Sequence, residues 1–151
     1  MNNTELPSDD LSRFALYIFR INGLLLRNGD RLTKPIGQSS ARWYVLGMVG
    51  NEPQSVASAA RTMGHARQSV QRIADSLVID GLAKYSPDPK DKRAQILSLT
   101  PKGGTVLAEI YQRNQEWSAQ LAAKIDSQQL AQLLQNLEMM QQVLLTEETI
   151  Q

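Results

Sequence analysis

Five polar side chains between Arg67 and Arg72 have the chemistry and the spacing to read a DNA duplex. Arginine bonds bidentately to guanine O6 and N7, and glutamine bonds in the same way to adenine N6 and N7. Arg67, Gln68, Gln71 and Arg72 are therefore candidate base-reading residues, and Ser69 suits a nearby phosphate or base edge. The bland alternative is an ordinary solvated helix surface.

A second charged group, Lys90-Asp91-Lys92-Arg93, lies in a turn that contains two prolines. Arg93 is long and always charged, which suits the narrow minor groove of DNA, and the two lysines suit phosphates. The alternative is a solvated turn, since surface ion pairs contribute only about 0–1 kcal/mol. Ser55 and Arg61 are weaker candidates for contacts with the DNA backbone.

Catalysis and metal binding find little support in the sequence. There is no cysteine, and His65 is the only histidine, so thiolate sites and shared histidine ligation are excluded. No phosphate loop and no catalytic constellation is recognisable. We expect no enzyme activity, no metal and no cofactor, and we expect His65 to contact a phosphate or to cap a turn.

Aromatic residues concentrate in the first third of the chain. The common role of such residues is core or dimer packing. A sharper hypothesis is an effector pocket that includes Tyr17 and Trp43, with Arg20 or Arg42 as the partner of an anionic ligand.

Apolar spacing and turn residues predict a mainly α fold with a small β-hairpin. We expect a first helix over about 10–28, ended by Asn28-Gly29-Asp30, and a second helix that begins at Ser39-Ser40. Helices over about 55–63 and 66–79, separated by Gly64, form a helix-turn-helix. Extended runs at 82–86 and 94–99 flank the charged turn and form a wing. Two further helices, over about 101–123 and 127–146, complete the chain.

Charge and hydropathy are consistent with a nucleic-acid partner. Residues 61–93 carry seven Lys and Arg against four Asp, whereas residues 101–151 carry three basic and six acidic residues. A basic segment beside an acidic scaffold is typical of polyanion-binding modules. The first ten residues have no apolar signal-peptide core, and no run approaches the roughly 20 apolar residues of a membrane span. A cytoplasmic protein without a membrane partner is expected.

The last helix carries an apolar stripe with few partners in so small a chain. Leu130, Leu133, Leu134 and Leu137 form the part of the stripe that we expect at a homodimer interface.

Several motifs in this order resemble the MarR family of winged-helix regulators. They are Arg42-Trp43-Tyr44-Val45-Leu46, the helix-turn-helix over 55–82, Pro87-Asp88-Pro89-Lys90-Asp91-Lys92-Arg93, and Ser98-Leu99-Thr100-Pro101-Lys102-Gly103. The matching run covers about residues 39–105.

The resemblance implies a homodimer on a pseudo-palindromic operator, released by a small aromatic or phenolic effector. It implies DNA binding by residues 39–100 and dimerisation by residues 8–35 and 101–148, and it implies that Asp91 holds the Arg93 guanidinium. The expected function is a sequence-specific transcriptional repressor. The alternative is a winged-helix protein-interaction module without specific DNA binding.

Overall fold

The computed structural model describes residues 9–91 and 93–150, with side chains through Glu148. Lys92, one of the predicted wing residues, lies outside the described residues. The elements in chain order are α1 (Asp10–Thr33), a 3-10 turn (Lys34–Ile36), α2 (Ser40–Asn51), α3 (Val56–Met63), α4 (Arg67–Ile79), β1 (Ala83–Pro87), β2 (Gln95–Leu99), α5 (Pro101–Ala122) and α6 (Ser127–Ile150). The predicted mainly α fold with a hairpin wing is confirmed.

Local capping explains where the first three helices begin. The side chains of Asp9, Ser39 and Ser55 accept hydrogen bonds from the backbone N–H groups of Ser12, Arg42 and Ser58. Each bond satisfies an N–H that the helix itself leaves free. Gly64 ends α3 in the left-handed conformation, with φ of 64°, which glycine adopts without steric cost.

The predicted end of α1 at Asn28-Gly29-Asp30 is wrong, because the helix continues to Thr33. These residues serve a contact between helices instead of a turn. A side chain at Gly29 would collide with the Ser40 hydroxyl, and the Asp30 carboxylate accepts a 2.7 Å hydrogen bond from the Ser40 N–H. The absence of a side chain at Gly29 therefore lets the start of α2 approach α1 closely. α6 also continues beyond its predicted end.

The main buried core lies where α2, α3, α4, the hairpin and the start of α5 meet. The buried apolar residues on α4 are Val70, Ala74 and Leu77, and they belong to one cluster with Leu46 of α2 and Leu97 of β2. α2 is apolar on most of its surface, as expected for a helix covered on several sides. The apolar side of α4 therefore fixes which of its residues face outward.

The hairpin is antiparallel, with Tyr85 opposite Leu97 and Pro87 opposite Gln95. Gln54, just before α3, exchanges two backbone hydrogen bonds with Leu97, at 3.2 and 2.9 Å. This bridge ties the wing to the start of the helix-turn-helix.

The junction between the wing and α5 depends on Thr100 and Gly103. The Thr100 hydroxyl donates to the Gly81 carbonyl at 2.6 Å and accepts from the Gly103 N–H at 3.0 Å. A Cβ atom on Gly103 would run into the Leu82 carbonyl oxygen. The sequence Leu99-Thr100-Pro101-Lys102-Gly103 therefore has a structural role at this junction. The Thr100 hydroxyl bridges the backbone after α4 and the start of α5, and the lack of a side chain at Gly103 allows the two segments to pack closely.

The chain divides into two compact units at Arg113, within α5. The unit before this point contains α1 to α4, the wing and the first half of α5, and the second contains the rest of α5 and α6. None of the helices in the described ranges is long and apolar enough to cross a lipid bilayer.

Candidate nucleic-acid interface

The outer face of α4 is exposed and basic. Arg67, Gln68, Ser69 and Arg72 are exposed, whereas Val70 between them is buried. Neither Arg67 nor Arg72 forms an ion pair with any residue that the structure describes. Both guanidinium groups are therefore available to an anionic partner.

Gln71 lies on the side of α4 that faces the wing, and its amide group is already engaged. Its Nε2 atom donates to Asp75 Oδ1 at 2.9 Å and to the Tyr85 hydroxyl of β1 at 2.8 Å. The Tyr85 hydroxyl in turn donates to Asp75 Oδ1 at 2.8 Å. These three side chains close a triangle between α4 and the wing, and we call it the Gln71–Asp75–Tyr85 triangle.

The surroundings of Tyr85 disfavour its ionised form. Desolvation by burial, followed by the hydrogen bond and the negative charge of Asp75, raises the pKa of Tyr85 from 10.0 to about 12. Tyr85 therefore stays a neutral hydrogen-bond donor at any physiological pH.

A cavity of about 340 Å³ with a mixed polar and apolar lining lies between the start of α3, α4 and the base of the wing. Ser55, Arg67, Gln71, Tyr85 and Arg93 contribute to its lining. The cavity brings two of the predicted arginines, one from α4 and one from the wing, to the same concave surface as the N-terminus of α3. Such a surface attracts phosphate through charge and through backbone N–H groups.

The wing tip differs in one detail from what the resemblance implies. The Asp91 carboxylate accepts a 2.9 Å hydrogen bond from the backbone N–H of Arg93, and within the described ranges it forms no ion pair with the guanidinium. Asp88 accepts in the same way from the Lys90 N–H at 2.8 Å. Both are local aspartate turns, which shape the backbone and leave the cationic side chains exposed.

The remaining predicted DNA contacts lie around this surface. His65 is exposed in the turn between α3 and α4, where its backbone N–H donates to the Ala60 carbonyl. Arg61 is exposed in the last turn of α3. The half-buried Ser55 accepts the capping bond of α3. Within the described part of the chain its hydroxyl donates to no acceptor, so it can still donate one hydrogen bond.

A second, apolar cavity of about 390 Å³ lies between α1, α2 and α5. Its walls include Leu25, Leu26, Gly29, Trp43, Tyr44, Met48 and Tyr111. Among the residues that the structure describes, no lysine or arginine contributes to this lining. The aromatic rings and the absence of cationic groups favour a flat, uncharged occupant.

Of the four predicted effector-pocket residues, Trp43 lines this cavity and the other three do not. Tyr17 and Arg20 are exposed elsewhere on α1. Arg42 points towards α4, where its Nη1 donates to the Ser76 hydroxyl at 3.0 Å and its Nη2 contacts Asp80 Oδ2 at 2.6 Å. Its Nε donates to Gln38 Oε1 at 2.8 Å. Arg42 is thus a clamp between α2 and the C-terminal end of α4.

The apolar stripe of α6 is partly open to solvent. Leu133 and Leu134 are exposed, at 52% and 53%, whereas Leu130 and Leu137 are half-buried. α1 also exposes large apolar side chains, of which Phe19 is 74% exposed. Exposed apolar surface of this kind is typical of protein–protein interfaces.

The sequence model of the MarR family matches residues 36–94, which include α2, the helix-turn-helix and most of the wing. An uncharacterized protein of Mycobacterium tuberculosis is 36% identical over 119 residues, which cover 79% of this chain and 83% of that protein. The chain belongs to the MarR family. It is a DNA-binding transcriptional regulator with a winged helix.

Three further proteins resemble this chain in sequence or in fold. The transcriptional repressor IacR of Pseudomonas putida is 29% identical over 120 residues, 72% of each chain. The regulator BldR of Sulfolobus solfataricus shares the fold with a TM-score of 0.81 at 23% identity, over 89% of this chain and 96% of that one. CouR of Rhodococcus jostii RHA1, solved with p-coumaroyl-CoA, shares it with a TM-score of 0.74 at 21% identity, over 90% of this chain and 94% of that one.

Sequence reasoning missed several residues of this MarR-family site. The partners of Arg42, which are Ser76 and Asp80, lie more than 30 positions away, and no local pattern indicates them. Tyr111 enters the apolar cavity from α5 and carries no signal in the sequence. The four-residue spacing of Gln71 and Asp75 was a usable signal, because such pairs are neighbours on a helix.

Proposed function

We propose that this MarR-family protein is a homodimeric repressor that binds a pseudo-palindromic operator and is released by a small aromatic effector. The observation that carries the proposal is the unneutralised basic surface formed by Arg67 and Arg72 on α4 and by Arg93 at the wing. Cations left without partners are costly to concentrate on one surface unless an anion binds there.

DNA recognition divides between α4 and the wing. In the proposed complex the first turns of α4 enter the major groove, where Arg67, Gln68 and Arg72 reach base edges. Arg93 reaches into the adjoining minor groove, and Lys90, Ser55 and Arg61 contact phosphates, which position the protein without reading sequence. Residues 39–100 then form the DNA-binding region.

Dimerisation is assigned to residues 8–35 and 101–148. The support for this assignment is that α1 and α6 each expose large apolar side chains. In a two-fold dimer the two α4 helices enter successive major grooves roughly 34–36 Å apart, which is why the operator is expected to be pseudo-palindromic.

The effector is assigned to the apolar cavity beside α2. The lining favours an uncharged aromatic group. CouR, a protein of the same fold, was solved bound to p-coumaroyl-CoA, whose coumaroyl moiety is such a group although its coenzyme A moiety is anionic. α2 carries Trp43 on the cavity side and Arg42 on the α4 side, so a shift of α2 is transmitted to α4. A ligand with higher affinity for the DNA-incompetent conformation then releases the operator.

Repression is favoured over activation because ligand-induced release is the simplest use of a cavity coupled to α4. The similarity to IacR, which is named as a repressor, points in the same direction. Expression of a reporter gene from the operator is expected to rise when the protein is removed.

The test is binding to labelled DNA from upstream of the protein's own gene, compared with a scrambled duplex over a series of salt concentrations. We expect tight binding to the first duplex alone, with log affinity falling linearly against log salt. The double variant Arg67→Ala with Arg72→Ala is expected to lose this binding. Arg113→Ala with Lys124→Ala removes the same charge outside the proposed DNA contacts and serves as the control, with sedimentation to check that it remains dimeric.

Two outcomes would count against the proposal. Equal binding to both duplexes at all salt concentrations would contradict sequence-specific recognition. Failure to bind either duplex at low salt would favour a protein-interaction module, whose partner would still bind the Arg67→Ala, Arg72→Ala variant.

A further inference from the structure

The amide group of Gln71 has a fixed orientation. A carboxylate only accepts hydrogen bonds, so the Gln71 atom that lies 2.9 Å from Asp75 Oδ1 must be the amino nitrogen Nε2. The same nitrogen lies 2.8 Å from the Tyr85 hydroxyl oxygen. The three near-equal distances place the two acceptors about 60° apart as seen from Nε2. The two amide hydrogens diverge by about 120°, so each can serve one acceptor only in a bent hydrogen bond, and this pairing engages both hydrogens.

The two acceptors are themselves held in place. Tyr85 stands on β1 opposite the buried Leu97, and it is half-buried. Its hydroxyl uses its own hydrogen on Asp75 Oδ1 at 2.8 Å. Rotation of the Gln71 amide would leave Asp75 facing an oxygen and would break two bonds at once.

We propose that Gln71 is a specificity-determining residue that reads the operator through its Oε1 atom alone, as an acceptor from an exocyclic amino group. The inference rests on the proposed DNA-binding function. In the major groove the groups that donate are the N6 amino group of adenine and the N4 amino group of cytosine. Asp75 and Tyr85 are positioning residues, because they hold the donor side of the amide away from the bases.

This recognition differs from the bidentate pairing expected from sequence. A bidentate glutamine donates from Nε2 to adenine N7 while Oε1 accepts from N6. With one hydrogen of Nε2 directed at Asp75 and the other at Tyr85, Gln71 has none left for N7. Gln68 provides the internal contrast, because its exposed side chain has no hydrogen-bond partner among the described residues, and both ends of its amide are free to pair with adenine.

The two modes differ in their dependence on purine N7, which base analogues test directly. The experiment measures binding of the full-length protein to operator duplexes in which one base at a time is replaced. One analogue removes the exocyclic amino group of adenine or cytosine, and the other, a 7-deazapurine, removes N7. The Gln71→Ala variant identifies the contacted base. It is the position at which an analogue weakens binding of the wild type but not of the variant.

At the Gln71 position we expect removal of the amino group to weaken binding about threefold to tenfold, the value of one hydrogen bond. The 7-deaza analogue is expected to have no effect there. At the position lost in Gln68→Ala, both analogues are expected to weaken binding. The Gln112→Ala variant, an exposed glutamine of α5 outside the proposed DNA contacts, serves as the control. Sedimentation checks that it remains dimeric, and it is then expected to respond to both analogues as the wild type does.

Freeing the amide should change the mode of recognition. In the double variant Asp75→Ala with Tyr85→Phe, Nε2 loses both partners, so Gln71 is expected to gain sensitivity to 7-deazaadenine when the contacted base is adenine. When it is cytosine, the same variant is expected to accept adenine there with an affinity close to that of the original duplex. A merely structural role of Tyr85 would weaken binding to all duplexes equally and would overturn this part of the inference.

The outcomes separate the inference from the function on which it rests. If the wild-type protein binds specifically but is weakened by the 7-deazapurine at the Gln71 position, the inference alone is overturned. It is also overturned if the Gln71→Ala variant responds to every analogue as the wild type does. Absence of specific binding to any duplex overturns the proposed function and the inference with it.

Discussion

Gly103 and Gly104 are neighbours in the first turn of α5, yet their surroundings are opposite. A Cβ on Gly103 would collide with the backbone carbonyl of Leu82, whereas a Cβ on Gly104 meets nothing within 4 Å. Backbone atoms cannot rotate away as a side chain can. We therefore expect Gly103→Ala to lower the free energy of unfolding by about 1–3 kcal/mol or more.

The adjacent substitution provides the control. Gly104→Ala is expected to be neutral or to stabilise by up to about 1 kcal/mol, because alanine has the higher helix propensity. Urea unfolding of both variants at one protein concentration measures the difference. Equal losses from the two substitutions would contradict the assigned contact with Leu82.

Ionisation of Tyr85 gives a prediction for alkaline pH. Burial of the hydroxyl, and then the hydrogen bond and charge of Asp75, raise the pKa of Tyr85 from 10.0 to about 12 in the folded protein. The neutral form therefore contributes stability that is fully present below pH 10. That contribution is lost as the pH rises through about 12. The ultraviolet absorbance of tyrosinate in the wild type minus that in Tyr85→Phe should show one late titration. A midpoint at 10 would contradict the burial of the Tyr85 hydroxyl beside Asp75.

At the scale of single elements, α2 has two functional sides. One side carries Trp43 in the apolar cavity, and Arg42 on the other holds the end of α4 through Ser76 and Asp80. The Arg42 side chain is 17% exposed, so its hydrogen bonds are partly shielded from water.

We expect Arg42→Ala to lower the free energy of unfolding by about 1–3 kcal/mol, since it removes three side-chain hydrogen bonds from a charged group. Arg113→Ala is the matched control. Arg113 pairs with Glu109 one turn away on the same exposed helix face, and such pairs contribute about 0.5 kcal/mol or less. Thermal unfolding of both variants provides the comparison, and similar losses would show that the Arg42 clamp is weak.

Local signals explain which elements were predictable. The caps at Ser39 and Ser55, the left-handed Gly64 and the apolar spacing of α4 act within a few residues, so the helix-turn-helix and the hairpin follow from the sequence to within a residue or two. The end of α1 was predicted wrongly because Gly29 is needed for close packing against Ser40, which belongs to another helix.

In the candidate site, too, some features follow from local sequence and others depend on tertiary contacts. The exposed residues of α4 follow from helical periodicity, since burial of Val70 and Leu77 fixes the opposite face. The constraint on Gln71 and the orientation of Arg42 depend on Tyr85 and Asp80, which reach them only after folding. Sequence therefore indicates which residues face outward, and tertiary contacts determine which of their atoms are free.

For the whole molecule, the main prediction concerns assembly. Leu134 is 53% exposed on α6, and Leu134→Glu places a charge within the proposed dimer interface. We expect this variant to sediment as a monomer, or to shift the dimer–monomer midpoint to at least about tenfold higher concentration, because a buried unpaired charge costs several kcal/mol.

The neighbouring substitution Gln135→Glu adds the same charge outside the apolar stripe and is the control for net charge. A sedimentation profile of Leu134→Glu that matches the control would remove α6 from the proposed interface. Because each half of a palindromic site needs one subunit, loss of the dimer should also abolish tight operator binding.

The position of Trp43 makes the apolar cavity optically self-reporting. The chain has two tryptophans, and the other, Trp117, lies in the second half of α5. A Trp117→Phe protein would therefore carry its single indole in the wall of the cavity. Intrinsic emission from that indole would register an occupant without any dye or DNA, so a library of aromatic compounds can be screened against the protein before its operator is known.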